Sequence, residues 1–214
     1  MLSQSKGYDT LQGINDDNLA MRLLHYQIPE YGVTLGFYPH QFTQVNALMN
    51  RELVRTVMGY LAPVKGEPVL DMFCGIGNFT LPLARAGARA VGVEASEEAV
   101  ERAKANAGDN ALASDCRFFA ANLYGDAGKG QAIWSKLEAT PKALILDPPR
   151  SGAGPNLDSW VQVESLQRVV YVSCNPVTFA EDAKVLAASG YVLQQVGVYD
   201  MFPGTAHVET VGLF

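Results

Sequence analysis

Two motifs near the end of the chain place a cysteine and a carboxylate where they could act together. Cys174 lies in Ser173-Cys-Asn-Pro176, between a predicted strand and a predicted helix. A helix N-terminus lowers the pKa of a nearby thiol, so this position favours a nucleophilic thiolate. The segment from Asp200 to Glu209 then brings a carboxylate to the adjoining sheet edge. The pair could serve as nucleophile and general base, although an isolated cysteine is more often a small buried apolar residue.

A third motif, Asp147-Pro-Pro-Arg150, combines an acid, two prolines and an arginine at the end of another predicted strand. The prolines fix the backbone there. Arg150 could hold a phosphate or a planar base, because its guanidinium is flat and always charged. A simple turn that ends the strand is the alternative interpretation.

A glycine-broken loop follows the first strand of this part of the chain. The stretch Pro68–Thr80 predicts a short buried strand, a tight turn at Gly75 and Gly77, and a helix that begins near Asn78. The loop indicates a nucleotide-like cofactor or an ordinary strand-to-helix turn. Thr80 stands where the dinucleotide fingerprint has its third glycine.

Glu94 ends the second predicted strand, where a carboxylate suits the two hydroxyls of a ribose. Both NAD and S-adenosylmethionine carry such a ribose, so Glu94 does not separate them. A surface acid near a helix start is the other interpretation.

The elements that position these motifs alternate between short apolar strands and amphipathic helices, which predicts an α/β fold with a doubly wound sheet. The residues 200–206 are too few for a crossover, so the last strand must run antiparallel. We therefore predict seven strands, mostly parallel, in a Rossmann-like class I methyltransferase fold, since the antiparallel seventh strand favours a methyltransferase over a dehydrogenase. The predicted strands of the sheet are 69–73, 90–94, 117–120, 143–147, 169–172, 191–199 and 207–214.

Helices are predicted between these strands, and two more strands are predicted before them. Thr43 is the expected N-cap of a first helix over 44–60. Two short strands around a turn are expected at 26–28 and 33–37. The other predicted helices span 81–86, the segment after Ser96, and 177–189.

Composition and charge limit the classes of protein to which this chain can belong. The 214 residues are 48% hydrophobic, which is enough for one buried core. Three cysteines without a C-x-x-C pair argue against a disulfide framework and against a zinc site, and they favour a reducing cytoplasm. We expect no secretory signal and no membrane partner. The net charge of -6 is not the basic balance that nucleic-acid binders usually carry.

Five ordered motifs together carry a resemblance to the RNA uracil-C5 methyltransferase family, and within it to the enzymes that act on 23S ribosomal RNA. The resemblance implies an S-adenosylmethionine-dependent enzyme that methylates uracil C5 in RNA through a covalent bond between cysteine and C6. It implies that Cys174 is the nucleophile and Glu209 the general base. The motifs are 42–46, 71–80, 146–150, 171–176 and 200–209. The residues implied to bind the cofactor are Gln44, Phe73, Asn78, Glu94, Asn122 and Asp147.

The chain also departs from this family. Typical members are longer, with an N-terminal RNA-binding β-barrel, and many hold an iron–sulfur cluster through cysteines. We expect no iron–sulfur cluster and no other metal in this chain, a catalytic domain over 42–214, and an N-terminal extension over 1–41, which would be the remnant of a preceding domain. Three alternatives stay open: a tRNA uracil-C5 methyltransferase, a cofactor-binding module that is inactive without an RNA-binding domain, and a nicotinamide-dependent oxidoreductase.

Overall fold

A computed structural model describes residues 22–205 and 207–214 of the chain. Its centre is a seven-stranded sheet. The strands of the sheet are β3 (Pro68–Met72), β4 (Arg89–Glu94), β5 (Cys116–Ala120), β6 (Ala143–Leu146), β7 (Arg168–Ser173), β8 (Gln195–Tyr199) and β9 (Glu209–Leu213). They lie in the order β5-β4-β3-β6-β7-β9-β8, in which β9 pairs antiparallel with both β7 and β8 and the other pairs are parallel. The predicted fold class and the antiparallel last strand are therefore confirmed.

Helices cover both faces of the sheet and bury two apolar clusters against it. The central strands β3, β6 and β7 are buried almost along their whole length, as expected for parallel strands that are covered on both sides. The described helices are α1 (Ala47–Leu61), α2 (Thr80–Arg85), α3 (Glu97–Asp109), α4 (Gly130–Trp134), α5 (Leu157–Val161) and α6 (Pro176–Ala188). None of them combines the length and the apolar character that a bilayer-spanning helix needs.

Helix α1 begins later than the sequence predicted. Its N-cap is Asn46, whose side chain accepts a hydrogen bond from the backbone N–H of Met49, so the prediction of Thr43 as the cap was wrong. Both residue types can cap a helix. The segment before Asn46 instead stays non-helical and forms part of a cavity wall, where Thr43 and Gln44 lie. Residues Leu53, Val54, Val57 and Leu61 form the buried face of α1, at the spacing of an amphipathic helix.

Other boundaries also differ from the predictions. The helix after the glycine loop begins at Thr80 rather than near Asn78, because the loop continues as turns through Phe79. Strand β8 covers only the second half of the predicted range 191–199. The two five-residue helices α4 and α5 were not predicted, since each is too short to show a clear helical period.

A two-stranded antiparallel hairpin precedes α1 and packs into the same core as the sheet. It consists of β1 (Leu24–Ile28) and β2 (Val33–Phe37). The side-chain amides of Asn106 on α3 and of Asn110, which directly follows α3, hydrogen-bond the backbone of β2 at Gly36 and Thr34. They pair backbone groups of an edge strand that has no further strand beside it in the two-stranded sheet. The domain boundary at 41/42 stays a prediction. The loop predicted around Asp16–Asn18 lies outside the described residues.

Candidate active site

A cavity of about 570 Å³ opens at the carboxyl edge of the sheet, where open α/β sheets bind ligands. Its walls come from the segment before α1, from the ends of β3, β4, β6 and β7, and from the start of β9. Seven of the eight predicted site residues line it: Gln44, Phe73, Asn78, Glu94, Asp147, Cys174 and Glu209. A second groove of similar volume lies at the opposite edge, around Val161–Gln167 and Ser189–Gln194, and it contains none of these residues.

The eighth residue, Asn122, does not line this cavity. Its side chain is exposed and its Oδ1 accepts a hydrogen bond from the backbone N–H of Tyr124, 3.1 Å away. Leu123 and Tyr124 line the cavity in its place. The Tyr124 ring lies 5.9 Å from the ring of Phe73, and its hydroxyl donates to the carbonyl of Gly152 at 2.6 Å. Tyr124 was not predicted as a site residue, because an aromatic residue after a strand end has no distinctive sequence pattern.

The glycine loop wraps one end of the cavity through an unusual backbone path. Phe73, Gly75 and Gly77 all have positive φ angles, of 63°, 52° and 98°. Such angles cost little for glycine, but they strain a residue such as Phe73. A Cβ at Gly77 would lie 3.2 Å from the Leu81 side chain, so a larger residue there would have to displace Leu81 in addition to adopting the positive φ. The strain is typical of a ligand-binding turn.

Glu94 is held in place by the backbone. One of its carboxylate oxygens accepts hydrogen bonds from the N–H groups of Ala95 and Ser96, at 2.7 and 3.0 Å, and the other accepts from Gly75 at 3.1 Å. The carboxylate therefore joins the glycine loop to the start of α3 while it also faces the cavity. Three of the roughly four acceptor directions of this carboxylate are used by the backbone, so Oε2 can still accept one hydrogen bond from a ligand hydroxyl.

Asn78 belongs to a three-residue hydrogen-bond network at the cavity wall. Its Oδ1 accepts from the hydroxyl of Tyr26 and from Nδ2 of Asn50, both at 2.9 Å, and its own Nδ2 donates to Asn50 Oδ1 at 3.0 Å. Asn50 on α1 is 1% exposed. These contacts fix the orientation of the Asn78 amide and leave one hydrogen of its Nδ2 for a ligand.

The topology explains why Cys174 and Glu209 meet. Cys174 directly follows β7 at the carboxyl edge of the sheet. Because β9 is antiparallel to β7, its first residue, Glu209, lies at the same edge, and Ser173 pairs with Thr210 in the register of the two strands. Both side chains face the same cavity as the glycine loop.

The electrostatics around Cys174 do not follow the expectation of a lowered thiol pKa. Burial raises the pKa of Cys174, and the carboxylates of Glu209 and Asp147 raise it further, while Arg150 acts in the opposite direction. The local sequence shows the helix start at Pro176 but not the two acids that neighbouring strands bring beside the thiol. Burial and these two acids outweigh the effects of Arg150 and of a backbone hydrogen bond, which lower the thiol pKa.

Several carboxyl groups lie in or beneath this cavity: Glu94, Glu98, Asp147 and Glu209 line it, and Asp71 lies beneath it. Burial raises the pKa of Glu209 to about 7. Burial and then the charges of Glu209, Asp71 and Glu94 raise the pKa of Asp147 well above its usual range. Burial also raises the pKa of Asp71 to about 7; this side chain is fully buried, its Oδ2 accepts from the Thr80 hydroxyl at 2.6 Å, and its Oδ1 has no partner in the described structure. The site is therefore suited to a positively charged ligand.

Arg150 is placed at the mouth of the cavity by the turn that follows β6. The side chains of Asn175 and Thr178 donate to the Arg150 backbone carbonyl, at 3.0 and 3.3 Å, and so tie this turn to the segment that carries Cys174. The Arg150 side chain is exposed and lines the cavity. An exposed cation beside the thiol can meet an anionic substrate that enters the mouth. Within residues 22–205 and 207–214, no group of three or more His, Cys, Asp or Glu residues is arranged to hold a metal ion.

Comparison with known proteins gives consistent matches in sequence and in structure. Residues 18–214 match the model of the family described as tRNA (Uracil-5-)-methyltransferase. The chain is 46% identical over 214 residues to 23S rRNA (uracil(1939)-C(5))-methyltransferase RlmD of Hahella chejuensis, a match that covers 99% of this chain and 47% of that protein. The protein of the same description from Acinetobacter baylyi is also 46% identical, over 99% of this chain and 45% of its own length. The chain thus spans about half the length of these curated relatives.

Solved structures give the same picture. The crystal structure of Pyrococcus abyssi tRNA (uracil-54, C5)-methyltransferase in complex with S-adenosyl-L-homocysteine superposes with a TM-score of 0.74 at 34% identity, and the match covers 89% of this chain and 44% of that one. A human methyltransferase 10 domain containing protein superposes with a TM-score of 0.64 at 14% identity, over 87% and 89% of the two chains. The second match supports the fold alone.

Proposed function

This chain belongs to the tRNA (Uracil-5-)-methyltransferase family, and we propose that it transfers a methyl group from S-adenosylmethionine to C5 of uracil in RNA, with 23S ribosomal RNA as the substrate. The observation that carries the proposal is the juxtaposition of Cys174 and Glu209 at one edge of an acid-lined cavity. The 46% identity to proteins described as 23S rRNA methyltransferases supports ribosomal RNA over tRNA.

The residues of the cavity fit S-adenosylmethionine. Its volume of about 570 Å³ lies in the usual range for a small-molecule site. Glu94 would accept from a ribose hydroxyl, and Asn78 and Gln44 would donate to polar groups of the ligand. Phe73 with Tyr124 would pack on the adenine. The buried acids, with Asp147 foremost, would offset the positive charge of the cofactor. When bound, S-adenosylmethionine supplies an electrophilic methyl group on a sulfonium.

Cys174 begins the reaction because uracil C5 is too weak a nucleophile to accept a methyl group directly. Its thiolate forms a bond from Sγ to C6, and the electrons of the C5=C6 double bond move into an enolate that makes C5 nucleophilic. After C5 has gained the methyl group, it still carries its original hydrogen. Glu209 then removes that proton, the electron pair restores the C5=C6 bond, and the C6–S bond breaks to release Cys174.

The burial of Glu209 and the position of Arg150 support these proposed roles. A base with a pKa of about 7 accepts a proton most effectively near neutral pH, and the burial of Glu209 gives it this pKa. Arg150 lowers the thiol pKa and stands where a phosphate of the substrate could lie. The target uridine must leave its stack to reach the cavity, so we propose that it is flipped out or taken from a loop.

Binding of RNA by this chain should need more positive charge than Arg150 supplies at the cavity mouth. The net charge of -6 is unfavourable for binding an RNA backbone. We propose that the protein grips RNA with the help of an RNA-binding part of the kind expected from the resemblance. A chain without that help would bind the cofactor but transfer methyl groups poorly.

A methyl-transfer assay tests the proposal. The chain is incubated with radiolabelled S-adenosylmethionine and, in parallel, with unmodified 23S ribosomal RNA, its fragments, and unmodified tRNA transcripts. We expect label in 5-methyluridine of ribosomal RNA, and no label with the Cys174→Ala variant. Label in tRNA alone would favour the alternative that the Pyrococcus abyssi neighbour suggests. Cofactor binding without transfer to any RNA would refute the activity for this chain and favour a cofactor-binding module.

A further inference from the structure

Helix α1 contacts both halves of the candidate site through separate side chains. On the cofactor side, Asn50 bonds Asn78. On the other side, Asn46 Nδ2 donates to the backbone carbonyl of Met201 at 3.1 Å, and Thr56 Oγ1 lies 2.6 Å from the hydroxyl of Tyr199. Both of these contacts are made where β8 ends and the loop toward Glu209 begins.

The orientation of the Asn46 amide is determined by its two partners. Its Oδ1 accepts from the backbone N–H of Met49 at 3.2 Å, which caps α1. Its Nδ2 donates to Met201, whose carbonyl can only accept. The side chain therefore has two separable functions: the oxygen caps the helix, and the nitrogen tethers the loop that follows β8.

The tethered residue lies at the base of the loop that precedes Glu209. Met201 is 2% exposed, and its N–H donates to the carbonyl of Tyr199 at 3.1 Å. Tyr199 in turn pairs with Glu209 in the register of β8 and β9. Burial raises the pKa of Glu209, and no hydrogen bond from the described residues orients its carboxylate. The place of this carboxylate is thus set by the backbone that carries it.

We infer that Asn46 is a positioning residue for Glu209: through its bond to Met201 it holds the start of β9 in register with the cavity. The inference rests on the proposed function, because it assigns Glu209 the work of removing the C5 proton. Asn46 is not among the residues that line the cavity. Its loss should impair the base step and leave cofactor binding and thiol addition intact.

Two substitutions separate the tether from the cap. Asn46→Asp keeps the capping oxygen and almost the same shape, but a carboxylate cannot donate to Met201. Asn46→Ser keeps a neutral cap with a hydroxyl too short to reach the loop. Aspartate and serine are both among the preferred N-cap residues, so α1 should remain stable in both variants. Agreement between the two variants would exclude the added charge as the cause. Asn46→Ala, which loses cap and tether together, serves as the comparison.

If the hydrogen bond from Asn46 to Met201 positions Glu209, we expect three results in both variants. The dissociation constant for S-adenosylhomocysteine should stay within about twofold of wild type, and the rate of covalent trapping by RNA that contains 5-fluorouridine should not change. The value of kcat should fall about tenfold with KM unchanged, as expected for the loss of one hydrogen bond that holds a reacting group. The covalent complex with ordinary RNA should accumulate, because release of Cys174 waits for proton removal.

Amide hydrogen exchange provides a readout that does not need activity. Peptides that cover residues 200–205 should exchange at least several-fold faster in both variants, while peptides within α1 should stay protected. Wild-type kcat in Asn46→Asp and Asn46→Ser, or unchanged exchange in the loop, would overturn the inference. If wild-type protein methylates no RNA, the proposed function fails for this chain, and the exchange measurement alone decides whether Asn46 holds the loop.

Discussion

The hydrogen-bond network around Asn78 leads to a quantitative prediction for cofactor affinity. Asn78 lines the cavity, and its amide is oriented by Tyr26 from the hairpin and by Asn50 from α1. Tyr26→Phe removes one donor to Asn78 Oδ1 but leaves the donor from Asn50. One hydrogen bond contributes about 1 kcal/mol, so we expect S-adenosylhomocysteine to bind about fivefold more weakly.

Asn50→Leu should have a larger effect than Tyr26→Phe. This substitution removes the reciprocal pair, so Asn78 loses one donor and one acceptor and its amide can rotate. Two bonds at about 1 kcal/mol each correspond to about thirtyfold weaker binding. Asn50 is 1% exposed and is replaced by an apolar residue of similar size, so no buried donor remains unpaired on α1 itself.

Titration calorimetry with S-adenosylhomocysteine measures both effects, and urea unfolding without ligand corrects for lost stability. Tyr31→Phe is the matched control, since Tyr31 lies in the turn of the same hairpin, whereas the described hydroxyl donor to Asn78 is that of Tyr26. We expect wild-type affinity in this control. Wild-type affinity in Tyr26→Phe and Asn50→Leu, or an equal loss in Tyr31→Phe, would refute the argument that this network orients Asn78 for the cofactor.

Three further predictions concern the acids and the thiol. Cys174 should form a stable adduct with RNA that contains 5-fluorouridine, visible on a denaturing gel, because fluorine cannot leave as a proton; an active protein without such an adduct would contradict the covalent route. Glu209→Gln should form the adduct with ordinary RNA but release it at least about 100-fold more slowly, the usual contribution of a general base, and normal turnover would exclude this role. The pKa of Asp71 is raised to about 7 on folding, so its stabilising contribution is complete below about pH 4 and is lost as pH rises toward 7. The unfolding free energy of wild type relative to Asp71→Asn should therefore fall by up to about 4 kcal/mol over this range, and parallel pH profiles of the two proteins in urea unfolding would contradict this.

The sequence predicted the assembly of the site because one topological rule was sufficient. The carboxyl ends of parallel strands share an edge, so residues that follow β4, β6 and β7 must come close together. The short link before Glu209 required an antiparallel last strand, and this strand carries its first residue to the same edge. Local motifs and chain connectivity together gave these positions without any knowledge of side-chain contacts.

The parts that the sequence did not predict depend on contacts between distant residues. Asn50 looks like one more polar position on an amphipathic helix, and only its pairing with Asn78 makes it part of the site. The sequence did not distinguish the capping residue of α1, because Thr43 and Asn46 are both residue types that cap helices well. In the structure Asn46 is the cap, and Thr43 lies in the cavity wall. Asn122 follows a strand end like the other site residues, yet its side chain turns to the Tyr124 backbone.

The raised pKa of the Cys174 thiol bears on the order of events in the proposed reaction. Glu209 and Asp147, which suit a cationic cofactor, also disfavour a negative charge on Cys174 and so favour its protonated form. A positively charged cofactor beside these two carboxylates would offset their charge and lower the thiol pKa. In the proposed reaction, the same carboxylates would then bind the methyl donor and keep the nucleophile unreactive until that donor is in place. A thiol activated by its helix alone would lack this coupling, and it would be exposed to oxidation whenever the cavity is open.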